Sequence, residues 1–507
     1  MTYIGEEKIF LDFTGGLASS SYVMSIAKNQ ATLLRNVYIS TEGGIEKRRG
    51  NTAFNSSAMV SGSTVVTGLG YYKQGDGDEW LMSIAGTKLF KSDSLDGTMD
   101  DITGALTITT GQDNIWTHTQ MNDLSIFVGG APDAPIKWNG TGNGAVLGGT
   151  PPSGRFGFTH NNRFFIGSTA ANPSRIAWSI LGNPEDWSGT GSGTQDIEAN
   201  DGDVLVGAAP LNTDVVLLFK ENSIHQFVTR TSPFPSFPLF RGVGAVGKNA
   251  IVLVDGVAYF ITPRGRMKAT DGSTVISFPD SIDDIWDGLS RTRLKFINGV
   301  RYTGEGIDHI IWMCSNGSST TNNLAIVWDL LNKCWLQHTS GYKANVSTKT
   351  QAGVLYTGHY NGVIYKQDVS NVYRDNSETS PGAIDALWRS GWNLTTSMEK
   401  SFHPFRLNVG MTSQTAGNLS TSYGFDFAED QTSEDLDMRA PGMLWDVGIW
   451  DVDSWGGQME VIRRIFIKGR GLSFQVAFEN NVADQVFKLQ GYSVSGKDSS
   501  VKAFQIN

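Results

Sequence analysis

Cysteine and proline are scarce: the chain has two cysteines, Cys314 and Cys334, and 15 prolines in 507 residues. Two thiols cannot staple a chain this long. They could face each other across a hairpin, but folding in a reducing compartment, with both as small core residues, is the simpler expectation. No run approaches the roughly 18 apolar residues that a membrane helix needs. The opening MTYIGEEKIFLDFTGG has no basic stretch leading into an apolar one, so no signal peptide is expected. An excess of positive charge is missing too. With a net charge of −10 and a pI near 5.3, the chain is unsuited to gripping nucleic acid through its phosphates.

Glycine is abundant, with 59 residues, and punctuates the chain every few positions, which suits many tight turns rather than long helices. One module recurs: a Gly/Asn/Asp turn, an apolar strand, a second turn, and an alternating strand ending in an aromatic residue or Lys. Copies run through residues 75–92, 121–139, 160–179, 211–228, 254–269, 307–329 and 351–366. Their apolar strands begin near Trp80, Leu124, Phe164, Val215, Val257, Ile310 and Val354, about 40 to 53 residues apart. That is the length of one four-stranded blade, and each blade must stack on its neighbours to bury its faces. The chain therefore reads as all-β: a β-propeller of about seven blades over residues 61–375, without WD or kelch signatures. A two-sheet sandwich would not need seven similar hairpins, and a β-helix repeats more often.

Residues 1–60 form an N-terminal segment. In it, 29–36 (NQATLLRN) reads as one or two helical turns, followed by a hairpin turning at Gly43-Gly44. Residues 373–383 read as a polar linker. Residues 376–507 are again strand-like, and with the N-terminal segment they predict a β-sandwich or barrel. The acidic stretch 426–437 is expected to be an exposed loop.

Few motifs point to chemistry. Residues 242–249 (GVGAVGKN) contain G-x-G-x-x-G and resemble a phosphate loop, with Asn249 where Ser or Thr should stand. A phosphate loop must open a helix, whereas Ala250 onward reads as a strand, so an inter-blade turn is expected. The seven histidines (118, 160, 225, 309, 338, 359 and 403) lack metal-ligand spacing. Asp133, Asp186, Asp201 and Asp255 all fall at turns, and the Asp boxes of propeller sialidases are missing. No catalytic, cofactor or metal residue emerges. The most unusual piece is WDVGIWDVDSW, in which Trp445, Trp450 and Trp455 recur every five residues. That period fits neither a helix stripe nor one strand face, so the three read as anchors in a core or between subunits.

Three stretches together resemble the tail nozzle (tail hub, or tail tubular) proteins of short-tailed bacteriophages. The first runs from Phe10 to Asn51, with a Gly-Gly turn, an Asn-Gln-Ala start and a hairpin ending in Lys47-Arg48-Arg49-Gly50. The second is 215–227 with 243–272, and the third is the Trp445–Trp455 repeat with KGRGLSFQVAFEN after it. The resemblance implies a structural virion protein without catalytic residues, made in the host cytoplasm and placed in the virion tail. It implies a homohexameric ring docked to a head-to-tail adaptor protein, retaining and then conducting DNA without specific binding. Propellers would project outward, leaving room for tail fibres, a needle or host-envelope contact. Asp446, Asp451 and Asp453, with 426–437, are candidates for a DNA-repelling lining. Lys47, Arg48, Arg49, Arg463 and Arg464 are candidates for partner contacts. The alternative reading is a propeller that binds or hydrolyses glycans, which would need carboxylates and exposed aromatics near the axis.

Overall fold

The computed structural model describes residues 6–20, 25–62, 64–129, 133–230, 233–378, 382–394, 400–439 and 460–500. Among them the chain is almost entirely β, with seven four-stranded antiparallel sheets, one larger antiparallel sheet and one larger mixed sheet. The seven small sheets follow one another along the chain. Their innermost strands are Val66–Lys73, Trp116–Met121, Gly154–His160, Leu205–Pro210, Ile251–Val254, Asn298–Gly304 and Ala344–Lys349. Each touches the next, and the seventh touches the first, so the sheets close into a seven-bladed propeller.

The apolar strand of every module is the second strand of its blade. Strands such as Glu79–Ala85, Val215–Lys220 and Ile307–Cys314 are buried almost throughout, because neighbouring blades cover both faces. A strand covered on both faces reads as a continuous apolar run rather than an alternation. The innermost strands face the axis and are more mixed; Trp116–Met121 (WTHTQM) is one.

The outermost strand of the seventh blade comes from the far side of the ring in sequence. Thr52–Ala53 pairs antiparallel with Ile364–Lys366, Ala53 opposite Tyr365. Asn55 Oδ1 accepts from the Ile364 amide at 2.8 Å and extends the closure. These residues lie in the segment assigned to the N-terminus by sequence, yet they complete the ring.

The other two sheets form a sandwich to which both ends of the chain contribute. In the first sheet the order is Val37–Ile39, Ile45–Lys47, Lys488–Ser500, Lys400–Thr412, Glu460–Ile465, and Glu6–Phe10 also pairs with Lys488–Ser500. In the second it is Gly16–Leu17, Gln30–Arg35, Ala386–Ser390, Ser473–Asn480, Asn418–Phe425, Thr432–Asp437. Aromatic rings fill the space between them. Phe13 meets Trp388 edge-on at 4.9 Å, and Phe478 lies 5.9 Å from Trp388 and 5.5 Å from Tyr492.

Three expectations need correction. Residues 29–36 are a strand rather than helical turns. Gln30–Arg35 pairs parallel to Gly16–Leu17 and antiparallel to Ala386–Ser390, so partners far along the chain outweigh a local helical preference. Within the expected linker, Arg374–Asp375 pairs with Gly382–Ala383, and Asp375 is wholly buried. In the acidic stretch, Thr432–Asp437 is an edge strand whose first four residues are exposed, so it is strand rather than loop.

Candidate functional site

Three places combine polar or apolar groups in ways the fold alone does not require. The first is the joint between sandwich and propeller. The sandwich sits on Cys334–His338, the outermost strand of the sixth blade. The approach is close. Gly16 has φ of +62°, and a Cβ there would lie 2.7 Å from the Cys334 side chain. Only glycine combines that backbone conformation with that proximity. Arg48 fills the joint. It is fully buried, its Nη1 and Nη2 donating to Asp375 Oδ1 and Oδ2 at 3.0 and 2.5 Å. Its Nε donates to Asn36 Oδ1 at 3.0 Å, and Nη2 also to the Ser340 carbonyl at 2.9 Å. Burial alone would pull the guanidinium's pKa down; Asp375 outweighs it and holds the charge.

Arg48 is therefore no partner contact, because its donors are spent inside the chain. Lys47 is likewise buried, donating to Asn480 Oδ1 at 2.8 Å and the Val482 carbonyl at 2.7 Å, and burial pushes its pKa down to about 7. Arg49 stays partly exposed, paired with Glu305 at 3.0 Å. Arg463 donates to the Asp437 carbonyl at 2.6 Å, and Arg464 Nε to Asn408 Oδ1 at 3.1 Å. Trp445, Trp450, Trp455, Asp446, Asp451 and Asp453 lie outside the described residues.

The second place is one end of the propeller axis. Lys248 leaves the turn before the fifth blade and donates to the carbonyls of Ile115 and Arg155 at 2.5 and 2.6 Å. Those carbonyls belong to the second and third blades, which are not ring neighbours of the fifth. Arg293, before the sixth blade, likewise reaches Asp113, before the second, at 2.6 Å. Asn345 of the seventh blade donates to the Gln112 carbonyl at 3.2 Å. The ring is thus laced across its own axis. A cavity of about 360 Å³ sits among these ties, its lining including Asp113, Arg155, Glu221, Lys248, Lys295 and Phe296. Burial, then the nearby Arg155 charge, pushes the Lys248 pKa down to about 7.

The glycine-rich stretch 242–249 is what delivers Lys248 to the axis. After a single 3₁₀ turn, Lys248–Ala250, the chain enters the strand Ile251–Val254, so it is an inter-blade turn. The turn aspartates are structural. Asp133 accepts from Thr109, Asp186 caps the turn at Ser188 and Gly189, Asp201 pairs with Lys220, and Asp255 pairs with Arg301. His118 and His359 pack within blades, and burial lowers their pKa values to about 4 and about 3. Cys314 and Cys334 are both buried free thiols.

The third place is the outer face of the first sandwich sheet. A polar ladder crosses four strands. Ser493 Oγ donates to Glu7 Oε1 at 2.5 Å, Asn408 Nδ2 to Ser493 Oγ at 3.1 Å, and Arg464 Nε to Asn408. Beside it stand Ile9, Leu11, Ile462 and Phe466, which are 62, 64, 73 and 63% exposed. Gly410 and Gly491, which are paired with each other, lie between Leu11 and Ile462 and leave the backbone bare there.

No family model and no curated protein matches the chain. Solved structures do resemble it. A streptogramin B lyase structure is 14% identical, covers 63% of this chain and 97% of its own, and has a TM-score of 0.42. The WD40 β-propeller domain of Doa1 is 10% identical, with 66% and 99% covered and a TM-score of 0.41. YCF48 from Cyanidioschyzon merolae is 9% identical, with 62% and 98% covered and a TM-score of 0.40. The likeness is one of fold and reaches no further.

Proposed function

We propose that the protein is a structural subunit of a bacteriophage tail nozzle, assembling through its sandwich into a ring that retains and then conducts DNA. The observation that carries the reading is the outer sandwich face, where Ile9, Leu11, Ile462 and Phe466 stand in water on one sheet. Here the exposed apolar residues stand in two pairs on opposite edge strands of one sheet face, with polar residues and bare glycine backbone between them. Exposed apolar surface on one face marks an interaction surface, and closed rings of identical subunits bury such surfaces repeatedly.

In this reading the DNA path runs between copies, because each propeller's own axis is crossed by the Lys248 and Arg293 ties. The exposed acidic residues of the edge strand Thr432–Asp437, Glu434 and Asp435, would face the passing phosphates and repel them. An adaptor ring would seat the assembly, and the propellers would point outward. The glycan reading gains less support. Asp113 in the axial cavity is committed to Arg293, and Phe296 lies under Arg293 and Lys295 at 4.0 and 5.0 Å.

Mass photometry of the purified chain, alone and with an adaptor ring, tests the reading. Hexamers, or six copies on the adaptor, are expected. A strictly monomeric chain that never joins the adaptor overturns it.

A further inference from the structure

The axial cavity gathers positive charge on a chain whose net charge is −10. Arg155, Lys248 and Lys295 line it, against Asp113 and Glu221. Asp113 is already neutralised by Arg293, which leaves Glu221 facing three cations. Arg155 and Lys295 have no hydrogen bond or ion pair from their side chains among the described residues; Lys295 only rests against the Phe296 ring. Two of the three Lys248 ammonium protons go to carbonyls, so one is spare.

Arg155 and Lys295 are exposed at the cavity, and like charges brought together there repel one another. An anion relieves that repulsion. We propose that the axial cavity binds a small anion bearing a carboxylate or phosphate group, held by Arg155, Lys248 and Lys295. The cavity volume of about 360 Å³ is at the small end of the range for small-molecule sites, roughly 300–1,000 Å³. Its backbone walls are fixed in advance by the cross-axis ties, so the ordering on binding falls on the Arg155 and Lys295 side chains. The site is independent of ring assembly, and its ligand is a small molecule rather than the DNA.

Calorimetric titration of the full chain with inorganic phosphate and with citrate, at constant ionic strength against chloride, tests the proposal. Saturable binding of one or both is expected, with a rise in thermal midpoint. In the R155A/K295A double variant the affinity falls by about tenfold or more. Both side chains are unpaired, so the unliganded variant keeps the parent's midpoint, and R155Q alone gives an intermediate affinity. A response to phosphate only assigns a phosphorylated ligand; a response to citrate only assigns a carboxylate. Absence of saturable binding by either anion, or equal binding by parent and double variant, overturns the proposal.

Discussion

The propeller and the sandwich are both β, yet they finish their surfaces differently. The propeller turns inward: neighbouring blades cover its apolar strands, and its axis is tied by Lys248, Arg293 and Asn345. Its exposed large apolar residues, such as Val146, Phe237 and Ile276, stand singly on different strands. Scattered residues of that kind need no explanation. The sandwich has an equally dense aromatic centre but leaves two pairs of apolar residues, Ile9 with Leu11 and Ile462 with Phe466, exposed at opposite edges of one face. A module can be complete as a fold and incomplete as a surface. The propeller is complete in both senses, and the sandwich only in the first.

The comparison breaks first at the joint. Arg48→Ala leaves Asp375 buried without its partner, and removing one member of a buried ion pair costs about 3–5 kcal/mol. Urea denaturation is expected to show that loss, with sandwich and propeller unfolding in separate steps; a single transition at the parent's midpoint would refute the joint's role.

Acid should then weaken the propeller selectively. His118 and His359 have folded pKa values depressed to about 4 and about 3, so at pH 5 they stay neutral in the fold. The unfolded chain takes up protons there below about 6.5, so stability is present above that pH and lost as pH falls. Between pH 7 and 5 each histidine is expected to cost about 2 kcal/mol, and a His118→Gln variant should show a correspondingly shallower pH dependence.

Lys248→Met leaves the Ile115 and Arg155 carbonyls without their donor and is expected to cost about 1–3 kcal/mol by the same denaturation assay. The smallest effect on stability sharpens the comparison most. Ile462→Asp and Phe237→Asp each change exposed residues and should alter monomer stability by no more than about 0.5 kcal/mol. Mass photometry should nonetheless show assembly lost in the first and kept in the second. Equal assembly by both would deny the sandwich face any special role.

How much of this could be read from residues alone depended on burial. The second strand of each blade announces itself because both faces are covered, so WLMSIA or VVLLFK needs no partner to be recognised. The innermost strands were far less legible: WTHTQM has one side on the axis and carries no clean pattern. Gln30–Arg35 reads locally as helical because its strand identity rests on partners more than 350 residues away. The joint fared similarly. Lys47-Arg48-Arg49 looks like a surface charge run, and nothing local says that Asp375 waits inside to receive Arg48. The glycine-rich stretch 242–249 was legible as a turn, but not as the carrier of a lysine that crosses the ring.

The closing strand Thr52–Ala53 has a consequence for how the chain comes to be folded. It cannot pair until Ile364–Lys366 has been synthesised, and Glu6–Phe10 must wait longer, for residues 492–496. Contacts between such distant stretches are slow to form, and apolar strands left waiting are prone to aggregate. Glu6–Phe10 and Thr52–Ala53 therefore leave the ribosome well before their partners exist. A ribosome stalled before residue 364 would hold an open ring, and one stalled before residue 488 a sandwich lacking a central strand of its first sheet.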